Sequence, residues 1–98
     1  MSRLSITFID VGWGDSIFIE SRDNGRRPHF ALIDCNDTEK SRSSFLYISR
    51  YLATIGVDPD DYEHLFDFVV LTHDHTDHAS GLKALIKQYG TRWFWYPK

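Results

Sequence analysis

The chain has 98 residues, which is enough for one small domain, or part of a larger one, with a single modest core. Its hydrophobic fraction of 42% and charged fraction of 26% are ordinary for a globular protein and exclude a wholly disordered chain. The 14 acidic and 11 basic residues give a net charge of −3, so the chain lacks the excess of positive charge that is usual in proteins that hold nucleic acid by charge alone.

Three features of the sequence bear on the cellular compartment. The longest apolar runs have only a few residues, which is too short for a transmembrane helix. Residues 1–8 lack the apolar segment of a signal peptide. Cys35 is the single cysteine, so a framework of intrachain disulfides is excluded. Together these features predict a reducing, cytoplasmic setting.

Three strands are predicted in the first third of the chain. Apolar and polar residues alternate over residues 4–8, which indicates a half-buried strand. Residues 10–15 contain two glycines and predict a tight turn, after which residues 16–20 return as a second strand. The Asp-Asn-Gly sequence at residues 23–25 is a strong hairpin signal and leads into a third strand over residues 30–34.

Helices and strands alternate in the rest of the chain. Residues 45–55 carry apolar side chains at spacings of three and four, the pattern of one helix face, and Gly56 follows as a C-terminal cap. Residues 68–71 are a short apolar run, which favours a strand buried on both faces. A second amphipathic helix is predicted over residues 82–89, and an aromatic strand over residues 92–98.

The aromatic strand includes four consecutive aromatic residues, at positions 93–96. Such a strand needs cover on both faces, because an exposed apolar edge promotes aggregation. The chain has few residues left with which to cover it. We therefore expect another chain or chain segment to pack against this strand.

Positive charge gathers beside the predicted hairpin turn, at Arg22, Arg26 and Arg27. Charged residues grouped around a turn usually form a solvated surface. On the sequence alone we interpret this cluster as an exposed turn.

The segment from Thr72 to His78 has the sequence Thr-His-Asp-His-Thr-Asp-His and contains three of the five histidines. Neutral imidazoles and carboxylates are preferred ligands of Zn²⁺. In extended backbone His73 and His75 point the same way and can converge on one ion, whereas Asp77 and His78 lie where the chain turns into a helix and can face a second ion. The alternative is a polar surface loop, but imidazoles this close would repel one another if protonated, which favours a cation among them.

These residues resemble a known family. The segment from Thr72 to His78, between a core strand and a helix, resembles the T-H-x-H-x-D-H signature of metallo-β-lactamase-fold hydrolases. The stretch Ala-Leu-Ile-Asp at residues 31–34 looks like the family's earlier strand-end aspartate, which supports the metal loop. Residues 8–16 are similar to the opening of one subgroup, which includes the hydrolase domain of DNA-uptake competence proteins and related nucleases.

The resemblance implies an α/β fold with a mixed sheet and two helices, which is the N-terminal half of an αββα sandwich. The complete fold is considerably longer and supplies further metal ligands, whereas no His, Asp, Glu or Cys follows His78 here. We therefore expect residues 1–98 to be a partial domain, completed by a complementing half-domain, a partner chain or an oligomeric mate through the aromatic strand. Activity is expected of the completed fold, and the sequence leaves it open for this chain alone.

The implied function is that of a metal-dependent hydrolase with two Zn²⁺ sites, for which Mn²⁺ is an alternative. His73 and His75 would hold one ion, Asp77 and His78 the other, and Asp77 would also orient the nucleophile as the candidate catalytic residue. The opening residues favour a phosphodiesterase or nuclease over a hydrolase of carbonyl esters, amides or thioesters. A non-catalytic metal-binding assembly subunit is the remaining alternative. Asp34 either supports the metal loop as a residue behind the ligands or simply caps a turn.

Overall fold

The computed structural model describes residues 2–10, 15–35, 42–72 and 76–96, with residues 10, 15 and 76–80 described by their main chain only. Within these ranges five strands and two α-helices follow in the predicted order. They are β1 (Arg3–Asp10), β2 (Asp15–Arg22), β3 (His29–Ile33), α1 (Ser43–Ile55), β4 (Phe66–Val70), α2 (Thr76–Tyr89) and β5 (Thr91–Trp95). A short 3₁₀ turn, Pro59–Asp61, precedes β4.

The strands form one mixed sheet in the order β1-β2-β3-β4-β5. Strands β1, β2 and β3 are antiparallel neighbours, whereas β3, β4 and β5 run parallel. Each parallel connection contains a helix, α1 between β3 and β4 and α2 between β4 and β5. Because such crossovers are almost always right-handed and the strand order advances in one direction, both helices lie on the same face of the sheet. This arrangement confirms the predicted α/β class with a mixed sheet and two helices.

The core fills the space between the helices and this face of the sheet. Phe18 on β2 is at its centre, with its ring stacked on Phe30 at 5.5 Å and edge-on to Phe66 at 6.5 Å. The helices contribute buried aliphatic side chains at helical spacing, namely Ile48 and Leu52 from α1 and Leu82 and Leu85 from α2. Burial of each such side chain stabilises the fold by about 1.5–3 kcal/mol.

Glycine ends both helices, as the sequence predicts for α1. Gly56 has a φ of 75°, a left-handed conformation that glycine adopts without steric cost. The following N–H, of Val57, donates to the carbonyl of Leu52 at 2.9 Å, which closes the last turn of α1. Gly90 after α2 has a φ of 81°, and its N–H donates to the carbonyl of Ile86 at 2.7 Å.

The second face of the sheet carries no helix among the described residues, and we call it the open face. It presents the exposed apolar side chains of Leu4, Ile6, Phe8, Phe68, Trp93 and Trp95. Strand pairing places them in continuous rows across the sheet, such as Ile6, Ile19, Ala31, Phe68 and Trp93. A row of apolar side chains that crosses all five strands is a surface suited to burial.

Two sequence expectations are corrected by the open face. The alternation over residues 4–8 is present, but its apolar side chains face away from the helices, and Phe8 is 67% exposed. The run at residues 68–71 is not buried on both faces, since Phe68 is 40% exposed while Val69 is fully buried. The reason is the same in both cases: α1 and α2 cover only one side of the sheet.

In the part of the chain that the structure describes, neither helix is long and apolar enough to cross a membrane. The cytoplasmic setting expected from the sequence stays a prediction.

Candidate metal centre

The histidine-rich segment begins where β4 ends, at the carboxyl edge of the parallel half of the sheet. Thr72 follows β4 by two residues, and α2 begins at Thr76. His73 and His75 lie outside the described residues. Asp77 and His78 lie in the first turn of α2, of which the main chain is described. The helix therefore begins six residues before position 82, where its apolar spacing starts, and it begins within the segment itself.

Asp34 holds the entry to this segment through its carboxylate. Oδ1 accepts a hydrogen bond from the main-chain N–H of Thr72 at 2.8 Å, and Oδ2 accepts one from the Thr72 hydroxyl at 2.6 Å. Both oxygens of one carboxylate thus bind one residue, which fixes Thr72 in position and in side-chain orientation. Hydrogen bonds to a charged acceptor are roughly twice as strong as neutral ones.

The main chain on either side of Asp34 is also held. Its own N–H donates to the carbonyl of Val70 at 2.7 Å, which extends the pairing of β3 with β4 by one step. The carbonyl of the next residue, Cys35, accepts a hydrogen bond from the buried hydroxyl of Ser44 in α1 at 2.9 Å. Asp34 itself has a φ of 60°, a left-handed conformation that a non-glycine residue rarely adopts and that aspartate tolerates better than most. These contacts offset the conformational cost.

A second strand holds the opposite side of the loop entry. The N–H of Leu71 donates to the carbonyl of Trp95 at the end of β5, at 2.8 Å. The chain that leaves β4 is therefore tied to β3 through Asp34 and to β5 through Trp95.

The donor set of the segment fits a zinc ion by its chemistry. The four proposed ligands in it, three imidazoles and one carboxylate, are nitrogen and oxygen donors of the kind that zinc takes in proteins, and the same set accepts manganese. Among the residues that the structure describes with their side chains, no three His, Cys, Asp or Glu are grouped so as to hold a metal. The predicted ligands His73, His75, Asp77 and His78 all fall outside that part of the chain, so the metal centre stays a prediction.

The sequence indicated Asp34 but neither its partner Thr72 nor the contact of the Ser44 hydroxyl with the carbonyl of Cys35. Thr72 is the first residue of the recognised segment. No local sequence pattern indicates the contact of Asp34 with Thr72, since the two residues are 38 positions apart. Cys35 is buried, whereas His29 and His64 are exposed.

One buried polar atom lies at the same edge of the sheet. Ser16, at the start of β2, is fully buried, and its Oγ has no hydrogen-bond partner in the structure as far as it is described. Ser16 precedes Ile17, which pairs with Ile33, the residue before Asp34. An unsatisfied buried hydroxyl costs about 1–3 kcal/mol.

A comparison with known families gives one match. The model of the metallo-beta-lactamase superfamily matches residues 31–98, which include the end of β3 with Asp34, the whole of Thr72 to His78, and β5. No solved structure gives a significant match to the chain.

Proposed function

The chain belongs to the metallo-beta-lactamase superfamily, and from this membership we propose that it forms the part of a metal-dependent hydrolase that carries the metal-binding loop. His73 and His75 would hold one ion, and Asp77 and His78 a second, with Zn²⁺ as the proposed metal. When bound, the metal supplies Lewis acidity, which acidifies a water and stabilises the negative charge that develops on the substrate. Asp77 would in addition accept a hydrogen bond from the attacking water and orient it.

The observation that carries this proposal is the double hydrogen bond between Asp34 and Thr72. Asp34 uses both carboxylate oxygens to hold Thr72, the residue immediately before the His-x-His-x-Asp-His segment. Such a residue supports the metal ligands without binding the metal itself. A simple turn cap would need only one acceptor and a residue nearby in sequence. Asp34 instead reaches across from β3 to the end of β4, which favours the supporting role.

The proposed ligands imply that this chain does not complete the site by itself. Each ion receives two donors, whereas zinc sites in proteins have three or more protein ligands. No further His, Asp, Glu or Cys follows His78 in the sequence. We propose that a complementing half-domain supplies the missing donors and covers the open face, because one partner then meets both requirements.

For the substrate we propose a phosphodiester, which makes the completed protein a phosphodiesterase or nuclease. The support is the likeness of residues 8–16 to the opening of the DNA-uptake competence subgroup. These residues precede the part of the chain that matches the superfamily, so the substrate class rests on that likeness alone. The alternative substrates are carbonyl esters, amides and thioesters, which the same metal chemistry would hydrolyse.

The test compares substrate classes on the completed protein with zinc or manganese. We expect turnover of a chromogenic phosphodiester to exceed that of a chromogenic β-lactam and of a thioester. His75→Ala should abolish this turnover together with metal binding. His29→Ala, which removes an exposed histidine of β3, should leave the metal content unchanged. Turnover that survives His75→Ala would show that the proposed site does not carry the activity.

A non-catalytic assembly subunit is the second candidate, and the open face favours it. Trp93 and Trp95, which are 71% and 59% exposed, give this chain a large apolar surface for a partner whether or not chemistry takes place. Metal content separates the two candidates. The assembly role predicts a stable complex that holds fewer than about one metal ion, and the hydrolase predicts one or two.

A further inference from the structure

A cleft of about 400 Å³ lies at the edge of the sheet opposite the candidate metal centre, and we call it the basal cleft. It is formed at the amino ends of the three parallel strands. Its basic side chains are Arg26, Arg27, His29, His64 and Arg92. They come from three separate stretches of the chain, because the fold adds His64 and Arg92 to the local group of Arg26, Arg27 and His29.

The positive charge in the basal cleft is not balanced by its carboxylates. Three arginines face Glu63 and Asp67, and Asp67 is already within 3.0 Å of Nδ1 of His29. In the described ranges the ion pairs are Arg22 with Glu20 and His29 with Asp67, so none of the three arginines of the cleft belongs to one. This concentration of positive charge is notable because the whole chain has a net charge of −3.

Arg27 is held in place without a carboxylate. Its guanidinium lies 4.8 Å from the centre of the Tyr62 ring, and one of its nitrogens donates to the main-chain carbonyl of Asp61. The Tyr62 hydroxyl donates in turn to the carbonyl of Pro28 at 2.7 Å, which fixes the ring. A guanidinium that is stacked and oriented in this way loses little freedom when it binds an anion.

We propose that the basal cleft binds a phosphate group. Guanidinium groups bind phosphate through paired hydrogen bonds, and three unpaired ones in a cleft repel one another until an anion is present. Arg26 and Arg27 are exposed beside the turn, as the sequence predicts, and the proposal adds a ligand to this exposed surface. The basal cleft is separate from the metal loop, because the two lie at opposite edges of the sheet and β3 alone spans roughly 13 Å between these edges.

The phosphate can come from two sources, a free phosphate or phosphomonoester, or the backbone of a nucleic acid. A neighbouring cavity of about 490 Å³ shares Arg26 with the basal cleft and is also lined by Arg3. A strand of nucleic acid could place successive phosphates in the two cavities, whereas a free phosphate would occupy one. Arg3 therefore distinguishes the sources.

The experiment is an NMR titration of the full chain with inorganic phosphate, in the presence of a chelator so that binding at the metal loop is excluded. We expect shifts at the amides of Arg27, His64 and Arg92 that sodium chloride of equal ionic strength does not produce. The double variant R27Q/R92Q should weaken phosphate binding about tenfold or more. The matched control Arg50→Gln, at an exposed position of α1, should bind phosphate like the unaltered chain.

A parallel titration uses a short single-stranded oligothymidylate. Tighter binding than that of phosphate, weakened further by Arg3→Gln, assigns the cleft to a nucleic-acid backbone; affinity equal to that of phosphate and insensitive to Arg3→Gln assigns it to a free phosphate. The proposal is overturned if phosphate gives no shifts in the cleft beyond those of chloride, a result that needs no variant to fold. It is also overturned if R27Q/R92Q retains its fold and binds phosphate as tightly as the R50Q control.

Discussion

Asp34 and Thr72 are joined by two hydrogen bonds, in which the two carboxylate oxygens of Asp34 bind the main-chain N–H and the hydroxyl of Thr72. This contact links the carboxyl ends of β3 and β4 at the residue immediately before the proposed metal ligands. It therefore connects the fold of the sheet directly to the position of the loop.

Replacing either partner should weaken metal binding without removing a ligand. Asp34→Asn keeps one acceptor oxygen and tolerates the left-handed backbone, and Thr72→Val keeps the main-chain N–H but loses the hydroxyl. Each variant should lower zinc affinity by about 10–100-fold, which is the usual effect of losing a group that positions the metal ligands. Competition with a chromogenic chelator measures this affinity in the completed protein.

The control for these variants is Asp67→Asn. Asp67 is an exposed carboxylate on β4, the strand that leads into the metal loop, and it lies at the end of β4 that is far from the loop. It should leave zinc affinity unchanged. If Asp34→Asn and Asp67→Asn have the same affinity as the unaltered protein, Asp34 caps a turn and does not support the metal loop.

Stability should fall at alkaline pH because of Tyr51. Burial, together with a hydrogen bond from the Tyr51 hydroxyl to the buried carboxylate of Glu20, raises the pKa of Tyr51 to about 12 from its usual 10.0. The folded state therefore retains this proton where the unfolded state loses it, so the stabilisation is complete below pH 10.0 and is lost as the pH rises through about 12.

Urea unfolding at neutral and strongly alkaline pH tests this account. Tyr51→Phe should lower the free energy of unfolding by about 1–3 kcal/mol at neutral pH, since Glu20 loses a partner. It should also lose less stability on the alkaline side than the unaltered chain. Tyr96→Phe, at an exposed tyrosine, should follow the unaltered chain at both pH values. An equal alkaline loss in Tyr51→Phe would disprove the assignment.

The core depends on the side of α2 that faces the sheet. Leu85 is fully buried, so Leu85→Ala should lower the free energy of unfolding by about 2–5 kcal/mol. Leu46, in α1, is 48% exposed, and Leu46→Ala should cost less than about 1 kcal/mol. Chemical denaturation of the two variants should show this contrast, and similar losses would mean that α2 does not pack as described.

Removal of the buried hydroxyl at Ser16 should not harm the fold. Its Oγ has no partner in the described structure, so Ser16→Ala should be neutral or should raise the free energy of unfolding by about 1 kcal/mol. Thermal unfolding followed by circular dichroism measures the change. A marked loss of stability would indicate that the hydroxyl has a hydrogen-bond partner in solution.

The open face predicts the behaviour of the tryptophans. Trp93 and Trp95 are both more than half exposed, so acrylamide should quench their fluorescence strongly in the free chain. Binding of a complementing half-domain should shift the emission to shorter wavelength and protect the tryptophans from the quencher. The effect should be smaller in a Trp93→Ser variant that still folds, in which Trp95 remains on the open face. Unchanged quenching in a stable complex would place the partner elsewhere.

The sequence predicted those features that depend on local spacing. The apolar periodicity located both helices, Gly56 ended α1, and the alternation over residues 4–8 located β1. Alternation does not tell which face of a strand is covered, because that depends on where distant helices cross the sheet. For this reason the exposure of Phe8 and Phe68 could not be predicted.

The candidate site also combines local patterns, which the sequence shows, with contacts between distant residues, which it does not show. The ligand spacing from His73 to His78 is a local pattern and was recognised, whereas the two hydrogen bonds of Asp34 depend on the parallel pairing of β3 with β4. In the basal cleft, Arg26 and Arg27 were visible as a cluster, but Arg92 joins them only through the position of β5 beside β4. Contacts between residues far apart in the chain need the register of the sheet, which a single sequence does not specify.

The proposed hydrolase activity depends on binding of divalent metal ions by the side chains of His73, His75, Asp77 and His78. The most direct measurement is the zinc content of the purified, completed protein by elemental analysis, for the unaltered chain and for His75→Ala. We predict at least about one zinc ion per protein, and a loss of zinc in His75→Ala while the fold is retained. Less than one zinc ion in the unaltered protein, or an equal zinc content in the folded variant, would contradict the account.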